Sequence, residues 1–237
     1  GVKAVLGQVR DIPSNSSSPF SDTIILDTTS PSCGILINDD DSHTTSSQVN
    51  LALTSMDVNG VEEMRVRNAN GDWSTWQAYA SSLPWNLTGT DDERTAEAQF
   101  RDVAGNVSSI CQDTIVLDRT PPRCSITIAD GASYTIQPTV TLTISGSDSN
   151  GVAQMRFRQD GADWTDWEPY TTTYTWSLAM PDGLQTLSAQ VRDTPGNVSD
   201  ACADSITLDT TPPTGFEIIN GGTLYTGIPT VTLTLGA

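Results

Sequence analysis

One phrase, in altered forms, occurs three times in this chain. It reads RDVAGNVSSICQDTIVLDRTPP from Arg101, RDIPSNSSSPFSDTIILDTTSP from Arg10 and RDTPGNVSDACADSITLDTTPP from Arg192. The three arginines set a period of 91 residues. A fixed period of this kind indicates one folded unit copied along the chain. We therefore predict two complete modules, 28–118 and 119–209, flanked by partial modules at 1–27 and 210–237.

Polar and apolar residues alternate with period two throughout the modules. Stretches such as TVTLTIS, TAEAQFR and QTLSAQVR put apolar side chains on one face and polar ones on the other. This pattern indicates half-buried antiparallel strands. We predict an all-β fold in which strands recur 91 residues later in the second module. In the first module they lie near 33–38, 48–56, 61–68, 75–80, 84–89, 94–102 and 112–118.

About seven short strands in some 90 residues are typical of an immunoglobulin-like sandwich. In such a fold we expect the first and last strands to lie side by side and parallel, so that modules follow one another end to end. Residues 1–27 match the last two strands of a module, and 210–237 match the first two. A two-stranded piece is marginal in water by itself. We expect the natural chain to continue in both directions; completion of the fragments by neighbouring chains is the alternative.

The chain is strongly acidic, with a formal net charge of −18 from 29 acidic and 11 basic side chains. This balance argues against nucleic acid and anionic membranes as partners. No apolar run is long enough to cross a bilayer, so no membrane insertion is expected in this segment. The charge favours a soluble, self-repelling chain that attracts divalent cations.

Four cysteines occur, Cys33, Cys111, Cys124 and Cys202. Pairing within modules joins the first to the second and the third to the fourth, and it leaves no cysteine unpaired. Pairing across the linker would leave Cys33 and Cys202 alone, because Phe20 and Gly215 occupy the equivalent positions in the fragments. We predict two disulfides within modules and hence an oxidising, extracellular setting. Four reduced core thiols are the alternative.

Acidic and amide side chains recur in turns at the expected junction of modules. Calcium takes six to eight oxygen ligands from carboxylates, amides and carbonyls, so a calcium ion at each junction is one interpretation. Solvated turn chemistry is the other, because Asp, Asn and Gly are common in tight turns. No other cofactor is expected. The candidate ligands are Asp27, Asp57, Asn59, Asp102, Asp118, Asp148, Asn150 and Asp193.

The tryptophans obey the repeat as well. GDWSTWQAY and ADWTDWEPY share a W-x-x-W-x-x-Y frame. An exposed row of these rings would form a platform for a glycan; core packing and bracing of a sheet edge are the plainer explanation. The candidate platform residues are Trp73, Trp76, Tyr79, Trp164, Trp167 and Tyr170.

These motifs together resemble the tandem immunoglobulin-like repeats of large bacterial secreted and surface proteins. The resemblance rests on RDVAGNVS, DTIVLDRTPP, the turn before MRVRN and MRFRQ, and the W-x-x-W-x-x-Y frame, and it covers the whole chain. It implies a stalk, adhesin or filament role at the cell surface rather than a reaction. The leading fragment departs from the pattern, since RDIPSNSS lacks the Gly-Asn turn, and this weakens a cation site there.

The sequence thus favours a structural repeat region over an enzyme. The lone histidine, His43, lies in a loop outside the repeat pattern, and no nucleophile motif occurs. Duplication of each notable residue also favours architecture over one active site. The expected partners are other repeats of the same chain, with neighbouring chains of a fibre as further candidates. A carbohydrate-binding module that uses the tryptophan face is the alternative function.

Overall fold

The computed structural model describes residues 1–179 and 181–236, so the predicted modules 119–209 and 210–237 each contain one residue, 180 or 237, that lies outside the described part. The chain forms two compact units, Gly1–Thr120 and Pro121–Ala237. Each unit contains one complete arrangement of two sheets and one additional hairpin.

The first unit begins with a hairpin of β1 (Val2–Gly7) and β2 (Phe20–Ile25). Two sheets follow, of order β3-β5-β8 and β4-β10-β9-β6-β7. Their strands are β3 (Gly34–Ile37), β4 (His43–Thr44), β5 (Gln48–Thr54), β6 (Val61–Asn68), β7 (Gln77–Ala78), β8 (Ser82–Asn86), β9 (Asp92–Asp102) and β10 (Cys111–Leu117).

The second unit repeats this topology, with sheets of order β11-β13-β16 and β12-β18-β17-β14-β15, and then a β19-β20 hairpin. Its strands are β11 (Arg123–Ile128), β12 (Tyr134–Thr135), β13 (Thr139–Ser147), β14 (Val152–Gln159), β15 (Glu168–Pro169), β16 (Thr173–Ser177), β17 (Gly183–Asp193), β18 (Cys202–Leu208), β19 (Phe216–Ile219) and β20 (Leu233–Gly236).

The fold is therefore the predicted tandem β-sandwich, with one difference in the strand pairing. The first strand of the module, β3, pairs antiparallel with β5 and does not pair with the last strand, β10. The parallel neighbour of β10 is instead the two-residue β4, and β12 plays the same part beside β18. The chain switches sheets after β3, and this switch is too short to leave a pattern in the sequence.

Each module buries the apolar faces of its two sheets against each other. Phe100 on β9 and Phe157 on β14 are fully buried in their respective modules. They are not equivalent positions: Val66 faces the first core where the second has Phe157, and Val191 replaces Phe100. The large ring has moved to the neighbouring strand and the valine has moved back. This exchange conserves the summed volume of the two positions, the kind of change that cores tolerate best.

The two sheets of each module are also joined covalently. Cys33 bonds to Cys111 and Cys124 bonds to Cys202, which is the pairing that the repeat predicts. Beside each bond, a carboxylate on the last strand accepts the backbone N–H at the end of the first strand. Asp113 accepts from Ile37 at 2.6 Å, and Asp204 accepts from Ile128 at 2.8 Å.

Replacing Cys33 and Cys111 together by alanine should destabilise the first module by about 2–4 kcal/mol, because each bond closes a long loop in the unfolded chain. Unfolding of the whole chain in urea, followed by tryptophan fluorescence, measures the change. The Cys124–Cys202 module is the internal control and should keep its midpoint. An unchanged urea midpoint for the first module would contradict the stabilising role of the Cys33–Cys111 bond.

Candidate functional site

Three predicted cation ligands meet in the first unit. Asp27 follows β2, Asp57 lies in the loop between β5 and β6, and Asp102 ends β9. Each offers a carboxylate oxygen within 4.8 Å of the other two. The amide of Asn59 also reaches this cluster and donates to Asp27 at 2.8 Å. Four of the predicted ligands are thus brought together.

The turn after β9 holds Asp102 in place. Its carboxylate accepts hydrogen bonds from the backbone N–H groups of Ala104 and Asn106 and from the Asn106 side chain, at 2.8–2.9 Å. Gly105 has a φ of +92°, which favours glycine at this point of the turn. Burial alone would raise the pKa of Asp102, but these hydrogen bonds outweigh it and hold the pKa below its usual value. The Asp102 carboxylate is therefore ionised at neutral pH.

The second unit repeats part of this arrangement. Asp148 and Asp193 have carboxylate oxygens within 4.8 Å of each other, and Asp148 accepts the N–H of Asn150 at 2.8 Å. Asp118 lies in the first unit, where its N–H donates to Thr44 and its carboxylate accepts from the Thr120 N–H at 3.0 Å. Calcium at these residues remains a prediction.

The W-x-x-W segment has a clear position in both modules: it runs along the free edge of the five-stranded sheet. In the first module Ser74 donates its N–H to the Val66 carbonyl at 2.9 Å, and its hydroxyl accepts the Val66 N–H at 3.0 Å. Thr165 makes the same two bonds with Phe157 in the second. The hydroxyl residue between the two tryptophans thus satisfies an edge that would otherwise be open.

The tryptophan rings interleave with arginines on the outer face of this sheet. In the first module Trp73 lies beside Arg65 and Arg67, and Trp76 beside Arg65 and Arg101, with guanidinium carbons 4.4–4.7 Å from the ring centroids. The second module repeats this arrangement at 4.5–4.9 Å. We call each set the Arg–Trp ladder; in the second module it consists of Arg156, Arg158, Arg192, Trp164 and Trp167.

The predicted glycan platform is not an exposed row of rings. Tyr79 and Tyr170 pack against the cores, and their hydroxyls bond to the backbone of the facing sheet at 2.9–3.3 Å. The tryptophans of the ladder are half-buried, and each has two guanidinium groups beside it. A sugar ring would have to displace these cations, which favours the bracing role for the tryptophans.

The two ladders differ in charge. In the first module Arg67 pairs with Glu97 at 2.5 Å, and Arg101 pairs with Glu63. In the second module Arg158 faces Ser188 across the strands. Among the described residues, the buried Nε of Arg158 has no hydrogen-bond partner.

Sequence reasoning missed a further pair of carboxylates, Asp91 and its equivalent Asp182. Asp91 accepts hydrogen bonds from Arg119 and Thr120, which lie just beyond the last strand of the first module, at 2.7–2.9 Å. Asp182 accepts equivalent bonds from Thr210 and Thr211 in the second. The same acid at the same place in the repeat was the available signal. The arginine ladder was missed too, although MRVR and MRFR mark it.

Comparison with known proteins agrees with this architecture. Residues 122–189 match the family model of a bacterial Ig domain, and this confirms the resemblance for the second module. The comparison with curated proteins gives no significant match.

Several solved structures are similar to the chain. The fibronectin(III)-like modules of Clostridium thermocellum CbhA have 13% identity and a TM-score of 0.46, with 74% of this chain and 94% of that chain covered. A tetra-tandem repeat from the extending region of a large adhesion protein has 20% identity and a TM-score of 0.33, with 93% and 60% covered. Two fibronectin type III domains of chicken tenascin have 11% identity and a TM-score of 0.33, with 73% and 97% covered. The chain thus spans 60% of the length of the adhesion-protein structure.

Calcium should raise the thermal midpoint of the first unit if the Asp27, Asp57 and Asp102 carboxylates bind it, because a ligand that binds only the folded state stabilises it. Circular dichroism in millimolar calcium and in EDTA measures the shift. Asp57→Asn is the test variant and should reduce the shift; Asp72→Asn, at an exposed residue outside the cluster, is the control. Equal midpoints with and without calcium would refute the cation assignment.

Ser188→Glu should stabilise the second module by about 1 kcal/mol, because the new carboxylate gives Arg158 the partner that Glu97 gives Arg67. Urea unfolding compares it with Ser188→Gln, which has the same length but no charge. Glu97→Ser should have the opposite effect in the first module. A Glu variant no more stable than the Gln variant would show that Arg158 needs no anion.

Proposed function

We propose that this chain is a structural repeat region of an extracellular, surface- or adhesin-like protein, in which the modules form a stiff stalk or filament and carry out no reaction. One observation carries the proposal: the reinforcing devices of the first module recur at equivalent positions in the second. These are the disulfide between the two sheets, the sheet edge that Ser74 or Thr165 covers, and the Asp91 or Asp182 carboxylate that holds the chain where it leaves the module, which we call the module exit. Duplicated reinforcement suits a load-bearing chain.

The module exits support the stiffness. Asp91 holds Thr120 of its own module, and β11 begins at Arg123, so only Pro121 and Pro122 lie between the two anchored points. Proline restricts its own φ and the conformation of the residue before it. The chain therefore has few free torsions at this junction.

These exit contacts persist over a wide pH range. The backbone N–H of Arg119, followed by its guanidinium, lowers the pKa of Asp91. The Thr210 hydroxyl does the same for Asp182. A lowered pKa means that the stabilisation is present above the usual aspartate value of 3.8 and is lost as the pH falls below it. The contacts are therefore intact at neutral and mildly acidic pH.

The disulfides support the extracellular setting, because such bonds persist in oxidising compartments and are rare in the cytosol. Within residues 1–179 and 181–236, no helix combines the length and the apolar character needed to cross a membrane. The acidic surface keeps a long repeat chain soluble through self-repulsion. The half-buried ladder, in which arginines stack on the tryptophans, favours this structural role over glycan binding.

Distance measurements between modules test the stiffness. Spin labels are attached through non-canonical amino acids at Asp72 and the equivalent Asp163, both exposed, so the four cysteines stay paired. We expect a narrow distance distribution by pulsed electron paramagnetic resonance. Replacing Pro121 and Pro122 by glycine should broaden it without loss of strand content by circular dichroism. Distance distributions of equal width for the wild type and the glycine variant would contradict a stiff, proline-restricted junction.

A further inference from the structure

The three-stranded sheet of the second module ends at β16, which pairs with β13 on one side only. Two hydrogen bonds fix the phase of this pairing, from Ile144 N–H to the Thr172 carbonyl at 2.9 Å and from Leu178 N–H to the Pro138 carbonyl at 2.7 Å. In an antiparallel pair the backbone groups of alternate residues point toward and away from the partner. Tyr174 and Trp176 therefore bond to β13, whereas the backbone groups of the remaining strand residues point outward. Those residues are Thr173, Thr175 and Ser177.

The equivalent edge of the first module, β8, is blocked at two points. Pro84 occupies the central outward position and has no N–H to donate. The outward carbonyl of Asn86 accepts a hydrogen bond from the Asn68 side chain at 3.1 Å. Proline and side-chain caps are devices by which natural sheets prevent edge-to-edge pairing.

Within the described part of the second module, neither device acts on Thr173, Thr175 or Ser177. Thr175 stands at the position of Pro84 and keeps its N–H. Gln159, the equivalent of Asn68, donates from its Nε2 to Asp160 and Gln185. Its Oε1 accepts the N–H of Ala179, the next outward residue after β16, at 3.1 Å, so this cap lies beyond the strand itself. Among the outward backbone groups of Thr173, Thr175 and Ser177, the Thr173 carbonyl alone has a hydrogen-bond partner in the described part of the chain, the Thr171 hydroxyl at 2.8 Å. A hydroxyl of this kind can rotate away from the carbonyl.

The chemistry of the edge suits pairing with another strand. Thr173, Thr175 and Ser177 are exposed, and the segment TTTYTWSLA contains no charge, proline or glycine. Threonine and aromatic residues favour strands, and an uncharged segment of high β-propensity is prone to strand addition. The chain has a net charge of −18, but because this segment has no charged residue, pairing two copies of it places no like charges opposite each other.

We propose that β16 is an interaction surface that pairs with β16 of a second copy of this chain. The two strands run antiparallel, with Thr175 opposite Thr175 of the second copy and Thr173 opposite Ser177 of the second copy. A second copy fits this edge because Thr173 and Ser177, on either side of Thr175, both carry short hydroxyl side chains and the segment has no charge. A two-fold axis through Thr175 therefore places matching, uncharged side chains opposite each other. Cross-strand Thr–Thr and Thr–Ser pairs are favourable on the exposed face.

Such pairing links modules side by side, and it does not depend on the stalk proposal, since it requires only the fold of the second module. The contact buries little surface beyond one strand, so the association is weak and concentration-dependent rather than obligate. A long array of repeats in which some edges are blocked and others open would associate only at the open ones.

Sedimentation of the whole chain over a range of concentrations tests the proposal. Thr175→Pro copies the block of the first module, and Thr175→Val is the matched control that keeps the N–H and the β-propensity. We expect the wild type and the valine variant to associate as concentration rises, and the proline variant to associate at least about tenfold more weakly, because the central pair loses both of its N–H donors. No association of the wild type, or equal association of the proline variant, would overturn the proposal.

Amide hydrogen exchange of the wild type gives a second readout that does not depend on a variant's folding. The amides of Thr173, Thr175 and Ser177 should exchange more slowly at high than at low concentration, while the equivalent amides of Ser82 and Asn86 should not change. Slower exchange at β1, β2, β19 or β20 without a change at β16 would assign the association to the hairpins and refute the strand pairing.

Discussion

Each module depends on the packing of two half-apolar sheets against each other. Neither sheet is stable alone, because one face of every strand is apolar and must leave water. The disulfide and the adjacent Asp113 or Asp204 carboxylate join the first strand to the last across this core. The outer features follow from that packing, since the Arg–Trp ladder lies on the outer face of a sheet whose inner face is fixed.

The alternation of apolar residues was sufficient to predict most strands, because period two survives wherever one face is buried. It failed where pairing is short: β4 has two residues, and the parallel contact with β10 leaves no pattern. The cysteine pairing was predictable because the repeat limits the alternatives. For the Arg–Trp ladder, MRVR and MRFR mark the arginines, but their contact with the rings does not follow from the sequence, because the approach of Trp73 to Arg65 depends on how an irregular segment folds along the sheet edge.

The candidate site shows the same division. Asp27, Asp57 and Asp102 could be predicted to meet, because they follow or connect strands at one end of the fold. Asp91 recurs as Asp182, but this recurrence does not identify the partner, which lies 28 residues away in a stretch that resembles any polar turn. Differences between the copies carry their own information. The same scaffold has Glu97 in one module where Ser188 stands in the other, and Pro84 where Thr175 stands, so the core positions stay apolar while sheet edges and outer charges change.

The central claim is that each 91-residue module contains its own core and its own disulfide. Producing residues 28–118 and 119–209 as separate proteins tests it most directly. The account predicts that each folds cooperatively, with a sharp thermal transition and its own disulfide formed in peptide maps of the unreduced protein. A fragment that stays unfolded under oxidising conditions, or a map that joins Cys111 to Cys124 in the whole chain, would contradict it.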